Sequence, residues 1–254
     1  MIRSKYTLLL VTVGLIVALT TTASAQEKEI NKITKFIKKQ RINAAYVIGG
    51  FNFVNLNTLN RYLEKGDFPP TEKAYFCFGL GGHVIHNKFV LGLVFQHFLP
   101  RKQATEKEFT TASTGKYTVL NMGYLVHSKK GLMIYPLAGI GFGELRLRIT
   151  ENNIQSFGDI DSIQRGSDSK TRSILVNLGA GMDYFFNYDK KKKGKNNLMM
   201  GVRVGYLISA IKYDWRVNYA KVADGPPSGL TGPYFHVVIG LGGWVEKLIR
   251  IALR

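Results

Sequence analysis

Eight stretches of this chain alternate in hydropathy with a period of two, the period of an extended strand. They lie at about 44–54, 73–86, 88–99, 116–128, 131–149, 171–188, 198–216 and 232–243. What each face carries constrains the fold more than the alternation does. In the sixth stretch one face reads Ile174, Val176, Leu178, Ala180, Met182, Tyr184, Phe186, and the other Ser173, Leu175, Asn177, Gly179, Gly181, Asp183, Phe185. In the seventh, Leu198, Met200, Val202, Val204, Tyr206 and Ile208 oppose Met199, Gly201, Arg203, Gly205, Leu207 and Ser209. The second, third and eighth divide the same way, with Phe76, Phe78 and Leu80 against Cys77 and His83, Phe89 to Phe95 against Val90 to Gln96, and Phe235 to Leu241 against Tyr234 and His236. One face is large, apolar and uncharged. The other mixes glycine with Tyr, Asn, Asp, Arg and His. A soluble sandwich or lipocalin-type barrel turns a Lys-, Glu- and Thr-rich face to water. A glycine-rich, Tyr-crowded polar face suits a narrow lumen, with the apolar face turned to lipid.

The connections support this. Segments 55–72, 100–115, 150–170 and 217–231 are long, and they alternate with tight turns at His86-Asn87-Lys88 and Ser128-Lys129-Lys130-Gly131 and a medium turn at 189–197. Long loops on one rim, short turns on the other and an even strand number predict an eight-stranded antiparallel up-and-down transmembrane β-barrel. Its first and last strands must pair, since no free edge is tolerated in lipid. Aromatics near strand ends (Phe89, Phe98, Tyr117, Tyr184, Phe186, Trp215, Tyr234, Trp244) are candidates for interfacial girdles. A soluble lipocalin-like binder is the alternative fold.

Residues 1–25 have the three parts of a secretory leader: Arg3 and Lys5, the apolar stretch Tyr6–Leu19, and the small-x-small site Ala23-Ser24-Ala25. The expected division is a leader at 1–25, a basic amphipathic periplasmic segment at 26–42, the barrel at 43–244, and a basic amphipathic tail at 245–254. Both flanking segments carry apolar residues at helical spacing among lysine or arginine. A helical turn is also expected within 55–64. The single cysteine, Cys77, rules out an intramolecular disulfide framework.

Gly49-Gly50-Phe51-Asn52, NMGYLVHSKKGLMIYPLAGIGFG at 121–143, NLGAGMDYFF at 177–186 and LMMGVRVGY at 198–206 resemble the small outer-membrane barrels. These include the opacity-protein and OmpA-barrel type, and most nearly the PorT-like barrels. The resemblance spans about residues 44–244 and implies an eight-stranded barrel in the cell outer membrane of a Gram-negative envelope. Family functions range over adhesion, anchoring, solute passage and support of protein secretion. The family shares no catalytic residues, and none is carried over here. Such barrels usually end on an aromatic residue, whereas ten residues follow Trp244 here.

Two groups stand out as candidate site residues. Asp183 and Arg203 share the lumen parity in adjacent strands, and a hairpin centred on Lys193 sets them opposite one another as a structural ion pair. Lys190, Lys191, Lys192 and Lys193 form a basic turn on the periplasmic rim. The net charge of +18 falls to +16 without the leader, and the five periplasmic segments hold +13 against −2 on the four long loops. That split predicts attraction to anionic phospholipid or an acidic periplasmic partner. By parity His83 and His86 point to opposite faces, and a buried, hydrogen-bonded or rim position is the better default for each of the five histidines, so no metal is expected. Hairpin arithmetic places His236 near the outer rim, across from Lys212. The Gly139-x-Gly141-x-Gly143 pattern lies within a strand and lacks a following Lys-Ser/Thr, so it is no phosphate loop. No catalytic residue, cofactor or nucleic acid is expected.

The leading functional expectation is a non-enzymatic, monomeric barrel among outer-membrane lipids, with a structural or interaction role accessory to secretion or envelope assembly. A narrow channel or small-ligand binder is second. An outer-leaflet lipid-modifying enzyme is third.

Overall fold

A computed structural model of the chain describes residues 41–104, 109–151, 166–186, 197–217, 220–222 and 225–244. The expected leader, most of the 26–42 segment, the Lys190–Lys193 turn and the 245–254 tail lie outside the described residues. Among those described, eight long strands succeed one another. They are β1 (Arg41–Phe53), β2 (Ala74–His86), β3 (Phe89–Phe98), β4 (Phe109–Tyr124), β5 (Leu132–Glu151), β6 (Gly166–Phe185), β7 (Asn197–Lys212) and β8 (Gly232–Trp244). Each neighbours the next in the sheet. β8 returns to β1 in antiparallel register, from Ile42 opposite Trp244 to Asn52 opposite Tyr234. The sheet is therefore a closed eight-stranded antiparallel barrel.

The alternation sorts as the sequence predicts. Phe142 is 71% exposed, Phe89 68% and Leu80 62% on the outer wall, while Tyr75, Cys77, Asp183 and Met199 are fully buried inside. Four of the expected girdle aromatics face the other way. Phe98, Tyr117, Trp215 and Tyr234 are buried in the lumen, whereas Phe89, Tyr184 and Phe186 are exposed. Parity overrides position here, because Phe98 shares the face of Gln96, and Tyr234 that of His236.

Two of the long loops are shorter than expected. Segment 100–115 contains the strand Arg101–Ala104, which pairs with the first part of β4. β5 and β6 stay registered out to Thr150 opposite Gly166. Beyond the apolar belt Thr, Ser and Arg replace the apolar residues of the outer wall, so the period-two signal fades while the backbone ladder continues. The fourth stretch ends at Tyr124 instead of reaching 128, and His127–Lys129 folds back separately onto the start of β5.

The first long connection holds α1 (Asn57–Lys65), which buries Leu59 and Leu63. Val54 and Leu56 join them in one apolar cluster. Asn60 ties the return of this connection to the helix, since its Nδ2 donates to the Thr71 carbonyl at 2.8 Å and its Oδ1 accepts from the Thr71 amide at 2.9 Å. At the opposite end, Lys130 (φ 49°) and Gly131 (φ 87°) both take the left-handed conformation that a two-residue hairpin turn requires. Gly131→Val should therefore destabilise the barrel by about 1–2 kcal/mol, and Lys130→Gly should not. Urea midpoints of the folded barrel in detergent would check this.

Candidate functional site

The lumen is filled in three layers. One apolar cluster occupies the end capped by α1 and includes Phe98, Leu175, Leu207 and Trp215. A second occupies the end of the tight turns and includes Ile42, Met133, Phe185 and Met199. Along seven strands a buried polar residue falls between them: Asn52 on β1, His83 on β2, Gln96 on β3, Asn121 on β4, Asn177 and Asp183 on β6, Arg203 on β7, and His236 on β8. The cavity among these groups is about 40 Å³, room for a water molecule or two and no more.

Asp183 and Arg203 meet. Arg203 Nη1 stands 2.7 Å from Asp183 Oδ1, and Nη2 donates to Oδ2 at 3.0 Å, the two-pronged geometry that arginine offers a carboxylate. The register differs by two residues from the sequence expectation: Arg203 lies opposite Gly181, and Asp183 opposite Gly201. The pair is thus diagonal. A Cβ on Gly201 would collide with the Asp183 carboxylate, and one on Gly181 with Tyr135 and the Arg203 stem. Glycine opposite each charge is what lets the two side chains lie flat and reach each other.

Three neighbours complete the cluster, and none of them follows from pairing arithmetic alone. The Tyr135 hydroxyl donates to Asp183 Oδ2. The Arg203 guanidinium lies 5.2 Å from the Tyr135 ring centre and 5.5 Å from that of Tyr46, within cation–π range. His83 Nε2 is 3.6 Å from Asp183 Oδ2. The available signal was parity: Tyr46, His83 and Tyr135 all carry the lumen parity of their strands.

His236 is not at the outer rim. It is buried, and its register partner is Arg203, not Lys212. The arithmetic fails because the connection is lopsided: β8 begins opposite Leu207, and Arg216–Val217 folds back to pair with β6. Asn52 Nδ2 reaches both Cys77 Sγ at 2.9 Å and His236 Nε2 at 3.1 Å, and Tyr234 stacks on His236 at 4.6 Å. His97 and His127 are exposed on other parts of the wall. Among the described residues no three of His, Cys, Asp or Glu gather as a metal site.

A second polar region lies outside, on the wall of the β5–β6 extension. Glu144 meets Lys116 at 3.3 Å and Arg172 at 3.1 Å, and Asp168 joins Arg146 and Arg148. The Arg146 hydrogen bond holds the Asp168 carboxyl below its usual range. Net loop charge conceals this band, because it counts residues without their facing.

The pairing of this chain alone defines its class, a closed eight-stranded antiparallel barrel with a side-chain-filled lumen. No family model and no curated protein matches it. Among solved structures, it is similar to Ail, the attachment invasion locus protein of Yersinia pestis, crystallised with the heparin analogue sucrose octasulfate, at 12% identity over 80% of this chain and 99% of that one, with a TM-score of 0.40. A further crystal structure of Ail gives 11% identity over 80% and 97%, with a TM-score of 0.39. Neisserial surface protein A gives 12% identity over 81% and 97%, with a TM-score of 0.35.

The ion pair generates a clear expectation. Asp183→Ala or Arg203→Ala alone leaves an uncompensated buried charge and should cost about 3–5 kcal/mol. Asp183→Leu with Arg203→Met should cost much less. A double-mutant cycle on urea unfolding would read this coupling, and additive losses would contradict it.

Proposed function

We propose that this chain is an outer-membrane barrel with a non-enzymatic, structural or interaction role. One observation carries the reading: the wall that a soluble protein would wet is apolar, while the lumen that a channel would open is packed shut. An eight-stranded barrel has an interior just wide enough for side chains to fill, and here apolar clusters fill both ends with about 40 Å³ between them. The small space among the mid-lumen side chains favours interaction at the rims and the outer wall over solute passage. In the envelope the α1 end faces outward and the tight turns face the periplasm.

The expected results are partition with outer-membrane fractions, a folded band on gels that shifts on boiling, and no conductance in planar bilayers. Protease added to intact cells should cut only in the connections of the α1 end. Recovery in the soluble periplasmic fraction, or discrete ion currents, would overturn the reading.

Within it, the basic turn Lys190–Lys193 is proposed to hold anionic phospholipid or an acidic periplasmic partner, as an accessory to secretion or envelope assembly. Each juxtamembrane lysine near an anionic surface contributes about 1 kcal/mol, screened by salt. Changing the four lysines to Gln should leave folding intact and weaken co-purification, most at low salt. Identical co-purification across a salt series would reduce the turn to a solvated connection.

A further inference from the structure

His83 and Asn177 carry polar atoms without partners in the middle of the lumen. His83 is 5% exposed and Asn177 4%. Among the described residues neither ring nitrogen of His83 makes a hydrogen bond, and Asn177 Oδ1 makes none. His83 Nε2 stands 3.6 Å from Asp183 Oδ2, too long for a hydrogen bond. Asn177 Nδ2 donates to Asn121 Oδ1 at 2.7 Å, which leaves its own carbonyl oxygen over. Buried polar groups almost always meet a partner, either in the protein or in ordered water. Both residues line the same interior cavity of about 40 Å³, together with Asn121 and Arg203 and the apolar side chains of Val94 and Val119. Asn52 and Gln96 also hold unpartnered atoms, but neither lines this space.

Size and charge select the occupant. The volume admits about one or two molecules of water. Arg203 and Asp183 neutralise one another at 2.7 Å, so no net charge is left to hold an ion. A neutral imidazole presents one donor and one acceptor, and the Asn177 carbonyl is a further acceptor. An apolar occupant would leave all three atoms unpaired. Water both donates and accepts within the smallest volume. We propose that the mid-lumen cavity is a closed water site, in which water joins His83 to Asn177 and so links the Asp183–Arg203 cluster to the Asn177–Asn121 pair. Largely apolar clusters stand between this site and both ends of the barrel. A leaving molecule must cross side chains that offer it few hydrogen bonds, so its exchange with bulk water is slow. The assignment concerns the lumen alone and does not depend on where the barrel resides.

The test uses the full-length folded barrel in non-ionic detergent. Oxygen-17 relaxation dispersion counts slowly exchanging water molecules and is blind to the exchange of hydroxyl protons. His83→Leu, Asn177→Leu and the double variant should each lose slow water relative to the wild type, and the double variant about one or two molecules. In NMR spectra of the wild type, water should show cross-relaxation to the methyl groups of Val94 and Val119, and the variants should lose it. Those wild-type signals decide the matter without any variant, should the double variant fold poorly. Tyr62→Ala, on the exposed face of α1, should change nothing. An equal slow-water count in the wild type and the double variant, absent cross-relaxation to the two valines, or the same loss in Tyr62→Ala would overturn the proposal. So would dissolved xenon shifting the Val94 and Val119 methyl signals of the wild type, because xenon enters cavities that stay dry.

Discussion

β1 meets β8 through a continuous register from Ile42–Trp244 to Asn52–Tyr234, and everything else in the molecule depends on that closure. In hydrocarbon no water is present to satisfy a strand edge, and each unpaired amide or carbonyl costs several kcal/mol. Closing the sheet pairs both edges at once. It also divides every strand into an inner and an outer face, so a single alternation in sequence must serve two different solvents. The outer face is apolar along the belt, with Phe142, Phe89 and Leu80 among its exposed side chains. The inner face must fill a space of fixed width, and its composition follows from geometry.

That geometry accounts for the glycines and the charges together. With eight strands the lumen cannot hold a full layer of large side chains, so Tyr46, Tyr135 and Arg203 fit only where the facing position is small. Gly81 beneath Tyr46, Gly181 beneath Tyr135 and Gly201 beside Asp183 provide that room, since a Cβ at any of them would collide with the named side chain. A buried arginine and aspartate are expensive to desolvate, and their attraction offsets that only with good geometry and further hydrogen bonds. The two-pronged contact, the Tyr135 hydroxyl and the faces of two tyrosine rings supply these. The pair belongs to the packing of a shut lumen, in line with the apolar layers above and below it.

The strand number, order and facing were legible in the sequence because a closed wall that is apolar outside and packed inside keeps the alternation along each strand of the apolar belt. Where the belt ends, the alternation ends. The parts of β4 before Lys116 and of β6 before Thr171 therefore hid among Thr, Ser and charged residues that read as loop, whereas β5 was expected to reach 149 and ends at Glu151. The contact of Asp183 with Arg203 was legible from parity and proximity. Its diagonal register was not, because turn symmetry has no physical force unless the turn is the shortest that closes. The placement of His236 failed for the same reason, more severely, across a connection that sends a short strand back to β6. The girdle aromatics were misassigned where closeness to a strand end was weighed above parity, although parity decides whether a ring meets lipid or lumen.

Net charge by segment and charge by face lead to different pictures of the long-loop end. Summed along the chain, the long loops are nearly neutral. Sorted by the direction each strand residue faces, the bases of β5, β6 and the two short strands gather on one outward row just beyond the apolar belt. In a barrel this distinction has energetic weight, because a charge at the lipid boundary sits beside low-dielectric material that screens it poorly, whereas a charge on a loop tip is screened within roughly 8–10 Å. Position on the wall therefore matters more than the total. On that wall Arg146 and Arg148 share Asp168, and Lys116 and Arg172 share Glu144, so the outward band is a network of opposite charges beside the apolar belt.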